Sequence, residues 1–276
     1  MTDDAMNRLL DIMRRLRDRE TGCPWDLQQD FSSLAPYTLE EASEVVDTLE
    51  RGALDELRDE LGDLLFQVVF LSQLATEAGR FDFESVARAI GDKLVHRHPH
   101  VFARDVTAAD AAEVLVQWEQ LKAGERAARG VRGVLEGVPL SLPALVRAAK
   151  LGKRAARVGF DWPDASGARR KVDEELAELD AAIAADDAAG VDEEFGDLLF
   201  AMVSWARLQG RDPERLLRAA NRKFERRFAR MEAVARDRSL DLGTLSPEAW
   251  DALWEAAKRD SRSPDPTFRG DSSPDA

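Results

Sequence analysis

Glu41, Glu44, Glu60 and Asp63 return as Glu175, Glu178, Glu194 and Asp197, each 134 residues further along the chain. Both sets run through the same string, Gly-Asp-Leu-Leu-Phe, at 62–66 and 196–200. A constant offset between like-charged residues marks a duplicated unit, and each half must then build the same local structure. Spacings of three put each acidic pair on one helix face. Periodicity is helical along nearly the whole chain, with no sustained two-residue alternation. The expected fold is all-α, with tandem duplicated helical-bundle domains. A length of 276 residues allows two domains of roughly 120 residues each. The expected boundaries are 1–123 for the first domain, 124–143 for a Gly/Pro-containing linker, and 144–260 for the second domain. Residues 261–276, rich in Ser, Pro, Asp and Gly, read as a disordered tail.

The pattern predicts helices over about 38–50 and 54–77 in the first half, and about 168–184 and 190–209 in the second. Val45, Val46, Leu61, Leu64 and Leu65 are expected to pack the first pair together. A short connection makes such a pair antiparallel and brings four carboxylates to one end of a groove. Like charges at this spacing cost about 0.2–0.5 kcal/mol per pair, and a divalent cation reverses that sign. An all-oxygen ligand set selects Mg²⁺, with Mn²⁺ as the alternative, over zinc. A di-iron bundle needs Glu-x-x-His, and no histidine stands at either acidic pair. A single Glu-x-x-Glu is ordinarily a solvated face, and Thr38 to Glu41 also reads as a capping box. The repeat answers both objections, because Val172 replaces the threonine while Glu175 persists. Gly62 and Gly196, each inside a predicted helix, point either to helix packing or to a close ligand.

Other features recur with the acids. Lys93/Arg97 and Lys223/Arg227 are cation pairs four residues apart, suited to phosphate oxygens. Lys150 and Lys153 belong to a basic helix ahead of the second acidic set. Trp25, Trp118, Trp162 and Trp254 hold corresponding places; packing is their default role, with base stacking as the functional one. His96, His98 and His100 have no counterpart in the second half and read as a helix-end turn. The lone Cys23 excludes an internal disulfide framework and suits a reducing compartment. A formal charge of -14 argues against a nucleic-acid polymer as partner. With no signal-like N-terminus and no apolar run long enough to span a bilayer, the expected location is the cytoplasm, with no membrane partner.

These strings resemble the MazG nucleoside triphosphate pyrophosphohydrolases. The likeness is carried by Glu-Glu-x-x-Glu with Glu-x-x-Asp, by Cys-Pro-Trp-Asp at 23–26, by 93–102 and by Val-Gly-Phe-Asp-Trp at 158–162, and it runs to about Asp260. The resemblance implies an all-α NTP pyrophosphatase fold assembled as homodimers. It implies Mg²⁺-dependent hydrolysis of (deoxy)nucleoside triphosphates to monophosphate and pyrophosphate, with broad base tolerance and a role in nucleotide-pool control. By the same resemblance Glu175, Glu178, Glu194 and Asp197 hold metal, and the main active site is the C-terminal one. Glu175 or Glu178 serves as base, Lys223 and Arg227 contact phosphates, Trp254 approaches the nucleotide, and Lys150 and Lys153 add substrate contacts. Glu41, Glu44, Glu60, Asp63, Lys93 and Arg97 form a second, N-terminal site. A dUTP-specific hydrolase and a non-enzymatic nucleotide- or partner-binding module remain the alternatives.

Overall fold

A computed structural model describes residues 5–102, scattered positions between 110 and 130, and residues 133–260. No strand occurs among the described residues. By their internal contacts the residues fall into two units that meet between Leu121 and Lys122. The predicted tail 261–276 lies outside the described residues, as do residues 126–129 and 131–132 of the predicted linker.

The first unit comprises α1 (Ala5–Leu16), α2 (Pro24–Gln28), α3 (Phe31–Arg51), α4 (Leu57–Glu77), α5 (Phe83–Arg97) and α6 (Pro99–Phe102). Its core joins Met13 from α1, Leu34 from α3, and Val69, Phe70 and Leu74 from α4. Helix α3 starts seven residues before its predicted start. Asp30 and Ser33 form a reciprocal capping box there, and Pro36 lies inside the helix. Thr38 is therefore no cap: its hydroxyl donates to the Leu34 carbonyl one turn back. Gly52, at φ 70°, ends α3 in the left-handed conformation that glycine adopts without a Cβ clash.

The second unit comprises α7 (Ala144–Ala156), α8 (Ala165–Ala184), α9 (Ala188–Leu208), α10 (Pro213–Asp237) and α11 (Pro247–Asp260). Asp164, Asp187 and Asp212 cap α8, α9 and α10, each accepting from backbone N–H groups of the first turn. Helix α8 pairs with α9, and α10 with α11. Met231, Leu253 and Ala257 form the buried seam of the latter pair.

The pairing of α3 with α4 leaves Val46 and Leu61 exposed, while Val45, Leu64 and Leu65 are half-buried. Only part of the expected apolar set thus faces the partner helix. Among the described residues of its own unit nothing packs against Gly62 or Gly196: a Cβ built at either meets open space. Packing of a neighbouring helix in the same unit is therefore not what calls for these glycines.

Two structural arginines fix the loops ahead of the acidic helices. In the first unit the buried Arg17 side chain donates to the carbonyls of Asp26 and Gln29 and pairs with Glu77. In the second, Arg207 grips Asp161 with two bonds of 2.9 and 2.6 Å. Such forked, charge-assisted contacts are stronger than neutral ones.

Candidate active site

Helices α3 and α4 bring one carboxylate oxygen each from Glu41, Glu60 and Asp63 within 4.8 Å of one another. Helices α8 and α9 do the same with Glu175, Glu194 and Asp197. The fourth acids stand beside these trios. Glu44 is felt by Glu41 and Glu60, and Glu178 by Glu175 and Glu194. Convergence of four carboxylates was expected; three converge and one flanks. The same three-residue spacing keeps both Glu60 and Asp63, and both Glu194 and Asp197, in their trios, so helical spacing alone does not set the flanking acids apart.

The two trios differ at their rims. Lys171, one turn before Glu175, places its ammonium 2.6 Å from Glu175 and 2.7 Å from Glu174. It holds the buried Glu175 carboxyl below its ordinary pKa, against the upward push of desolvation. Glu194 is raised, first by burial and then by its acidic neighbours. Its Oε2 is buried without a hydrogen-bond partner.

In the first unit Tyr37 occupies the position of Lys171, 134 residues earlier. Burial, then Asp63 and Glu44, raise Glu41; burial, then Glu44 and Asp63, raise Glu60. Gln67 lies beside this trio instead of a cation, its amide nitrogen 3.5 Å from Glu41 Oε1. Ala201 holds the matching position in the second unit. Lys171 and Gln67 were not singled out from the sequence. Both were signalled there, since Lys171 precedes Glu175 by four residues and Gln67 follows Asp63 by four.

The expected cations and aromatics are placed as follows. Lys223 is exposed and Arg227 half-buried on α10, with the Arg227 guanidinium 5.6 Å from the Trp254 ring centre. Lys258 lies 5.9 Å over the same ring, and Phe224 packs 5.6 Å away. Trp254 is thus half-buried in the α10–α11 seam, with two cations on its ring. Lys93 and Arg97 are half-buried on α5, where the Arg97 carbonyl accepts from the Trp118 indole at 2.8 Å. Lys150 and Lys153 are exposed on α7. Trp25 is exposed and meets Tyr37 edge-on at 5.9 Å. Trp162 instead lies so close to Gly167 that a Cβ there would sit 2.6 Å from the ring. His98 ends α5, its Nδ1 2.7 Å from the Leu94 carbonyl, in keeping with a helix-end turn.

A hard divalent ion fits both trios. Every donor is an oxygen, burial and then acidic neighbours raise the pKa of Glu41, Glu60 and Glu194, and a buried carboxylate oxygen in the second trio lacks any other partner. Fold and site together define a class of tandem all-α proteins whose neighbouring helices clasp acid clusters suited to such an ion.

Comparison with known proteins gives the family. The profile of the MazG nucleotide pyrophosphohydrolase domain matches residues 29–102 and 166–231, spanning the acidic helices of each unit. The nucleoside triphosphate pyrophosphohydrolase of Escherichia coli (strain K12) is 51% identical over 258 residues, covering 93% of this chain and 98% of that protein. A Thermotoga maritima protein named nucleoside triphosphate pyrophosphohydrolase/pyrophosphatase MazG is 42% identical over 250 residues, 91% of this chain and 94% of its own length. A Mycobacterium tuberculosis nucleoside triphosphate pyrophosphohydrolase is 37% identical over 155 residues, 55% of this chain and 46% of that protein. The chain belongs to the MazG family.

Proposed function

We propose that this chain is a nucleoside triphosphate pyrophosphohydrolase that splits (deoxy)nucleoside triphosphates into monophosphate and pyrophosphate, dependent on Mg²⁺ or Mn²⁺. The observation that carries this reading is the trio Glu175, Glu194 and Asp197, focused within 4.8 Å and containing a buried, unpaired Glu194 oxygen. The names of relatives aligned over nearly the whole chain support the reaction class.

A bound Mg²⁺ supplies positive charge against the triphosphate and lowers the pKa of water. The protein's own groups divide the remaining work. Glu175, kept ionised by Lys171, is a ready ligand and a poor proton acceptor, because a base works best with a pKa near the working pH. Glu178, which stands beside the trio without converging on it, is the group assigned to orient water and take its proton. Lys223 and Arg227 offer charge to the departing pyrophosphate. Lys150 and Lys153 add positive charge on α7. Trp254 is the aromatic group assigned to the base, whose stacking would require the Arg227 and Lys258 side chains over the ring to give way. Broad base tolerance and a role in nucleotide-pool control belong to the same reading.

The active form is a homodimer in this reading. Leu176 and Ile183 on α8, and Phe195, Leu199 and Met202 on α9, are 44–56% exposed. The last three recur at helical spacing as one stripe, and Gly196 beside them faces open space. A cytoplasmic location is part of the same reading; no described helix is long and apolar enough to cross a membrane.

Product analysis with an α-labelled triphosphate tests the reaction. Labelled monophosphate with unlabelled pyrophosphate is expected; diphosphate with orthophosphate would contradict it. A panel of bases separates broad tolerance from a dUTP-specific enzyme. Glu178→Gln should lower kcat by about a hundredfold or more while leaving Mn²⁺ binding in place.

A further inference from the structure

The N-terminal trio has two features that the C-terminal trio lacks. Its rim carries Tyr37 where Lys171 offsets one carboxylate charge in the other unit. Arg51, the cation felt by Glu60, is itself held by Asp47 at 2.6 Å and by Glu56 at 2.7 Å. Its second feature is Gln67 on α4. That side chain is 5% exposed, its amide nitrogen approaches Glu41 at 3.5 Å, and its Oε1 is buried without a hydrogen-bond partner. A buried carbonyl oxygen is costly unless a donor or a cation reaches it.

We propose that Gln67 completes the Glu41, Glu60 and Asp63 trio as a neutral oxygen ligand, making the N-terminal cluster the tighter divalent-cation site of the chain. This rests on the reading that both trios face cations. The ligand class is a small hard cation, Mg²⁺ or Mn²⁺, taken up without a nucleotide. A half-turn of the amide exchanges its nitrogen and oxygen, so that the carbonyl takes the place beside Glu41 now held by the N–H group. A carboxamide oxygen is an ordinary donor to such ions. The C-terminal trio has no equivalent, because Ala201 stands in that position. There a divalent cation must also approach against Lys171, whose unit charge, acting on a doubly charged ion ~4 Å away, weakens binding by roughly thirtyfold even in water.

The experiment is Mn²⁺ titration of the full chain followed by electron paramagnetic resonance. Two classes of site are expected. Gln67→Ala and Tyr37→Lys should each weaken the tighter class by about tenfold. Lys171→Met should tighten the weaker one. Tyr37 is 39% exposed, so Tyr37→Lys tests the proposal even if Gln67→Ala disturbs the core. A tighter class indifferent to both N-terminal variants, or abolished by Glu194→Gln, overturns the proposal, as does a single class per chain. Pyrophosphate release is measured in parallel. Two Mn²⁺ classes without hydrolysis would sink the functional reading alone; hydrolysis with Mn²⁺ held only by the C-terminal trio would sink this one alone.

Discussion

Both units build an acid trio on neighbouring helices, yet Lys171 leans on the second trio while Gln67 and Tyr37 border the first. The carboxylate geometry is shared; the electrostatic setting is not. Glu175 is held low by its lysine, whereas Glu41 and Glu60 are pushed up by burial and by each other's neighbours. Duplication therefore preserved a means of focusing charge and left its balance free to diverge. A cluster with a lysine at its rim suits a substrate that brings phosphate charge. A cluster without one suits a resident ion.

The largest expected difference between the units is in turnover. Glu175→Ala should reduce pyrophosphate release by a hundredfold or more, and Glu41→Ala by less than about threefold, in steady-state assays of the full chain. Equal losses would erase the division of labour. The structural arginines should separate the units next. Arg17→Ala removes a buried guanidinium from two carbonyls and Glu77, and should cost the first unit about 2–4 kcal/mol in denaturant unfolding. Arg207→Ala should cost the second unit about 1–3 kcal/mol.

The pH response of the second pin has a definite sign. Arg207 holds the Asp161 carboxyl below its ordinary pKa, so the stabilisation is present above the unfolded-state value. It is lost as pH falls through the lower, folded-state value. Acid unfolding of the second unit should therefore lose a transition component below about pH 4 in Asp161→Asn. The smallest effect sharpens the comparison most cleanly. Carboxyl-carbon NMR titration in chelator should find Glu41, Glu60 and Glu194 titrating above ordinary glutamate and Glu175 below it. Ionisation of the raised acids disfavours the folded state, so their contribution to stability shrinks as pH rises through their folded-state values. Added Mg²⁺ should cancel that loss.

Much of this was legible in the sequence because the acids repeat at one offset and helical spacing is regular. The all-α architecture, the doubled unit and the pairing of acidic helices all follow from those two facts. The start of α3 did not, because Pro36 reads as a boundary while Asp30 and Ser33 supply a stronger one upstream. Periodicity also could not tell which apolar residues face the partner helix: Val46 and Leu61 share the pattern of Val45 and Leu65 but are exposed. Nor could spacing separate the three converging carboxylates from the flanking Glu44 and Glu178, since Glu60 and Asp63 have the same three-residue spacing and both converge. Gln67 was hidden for another reason: an amide within an apolar run reads as an interruption until its burial is known.

Diffraction from crystals soaked in Mn²⁺, recorded at the manganese absorption edge, tests the centre of this account most directly. An anomalous peak bounded by Glu175, Glu194 and Asp197, and a second by Glu41, Glu60 and Asp63, is the expected result. Crystals with no peak at either trio, and with those side chains turned apart toward solvent, would contradict it.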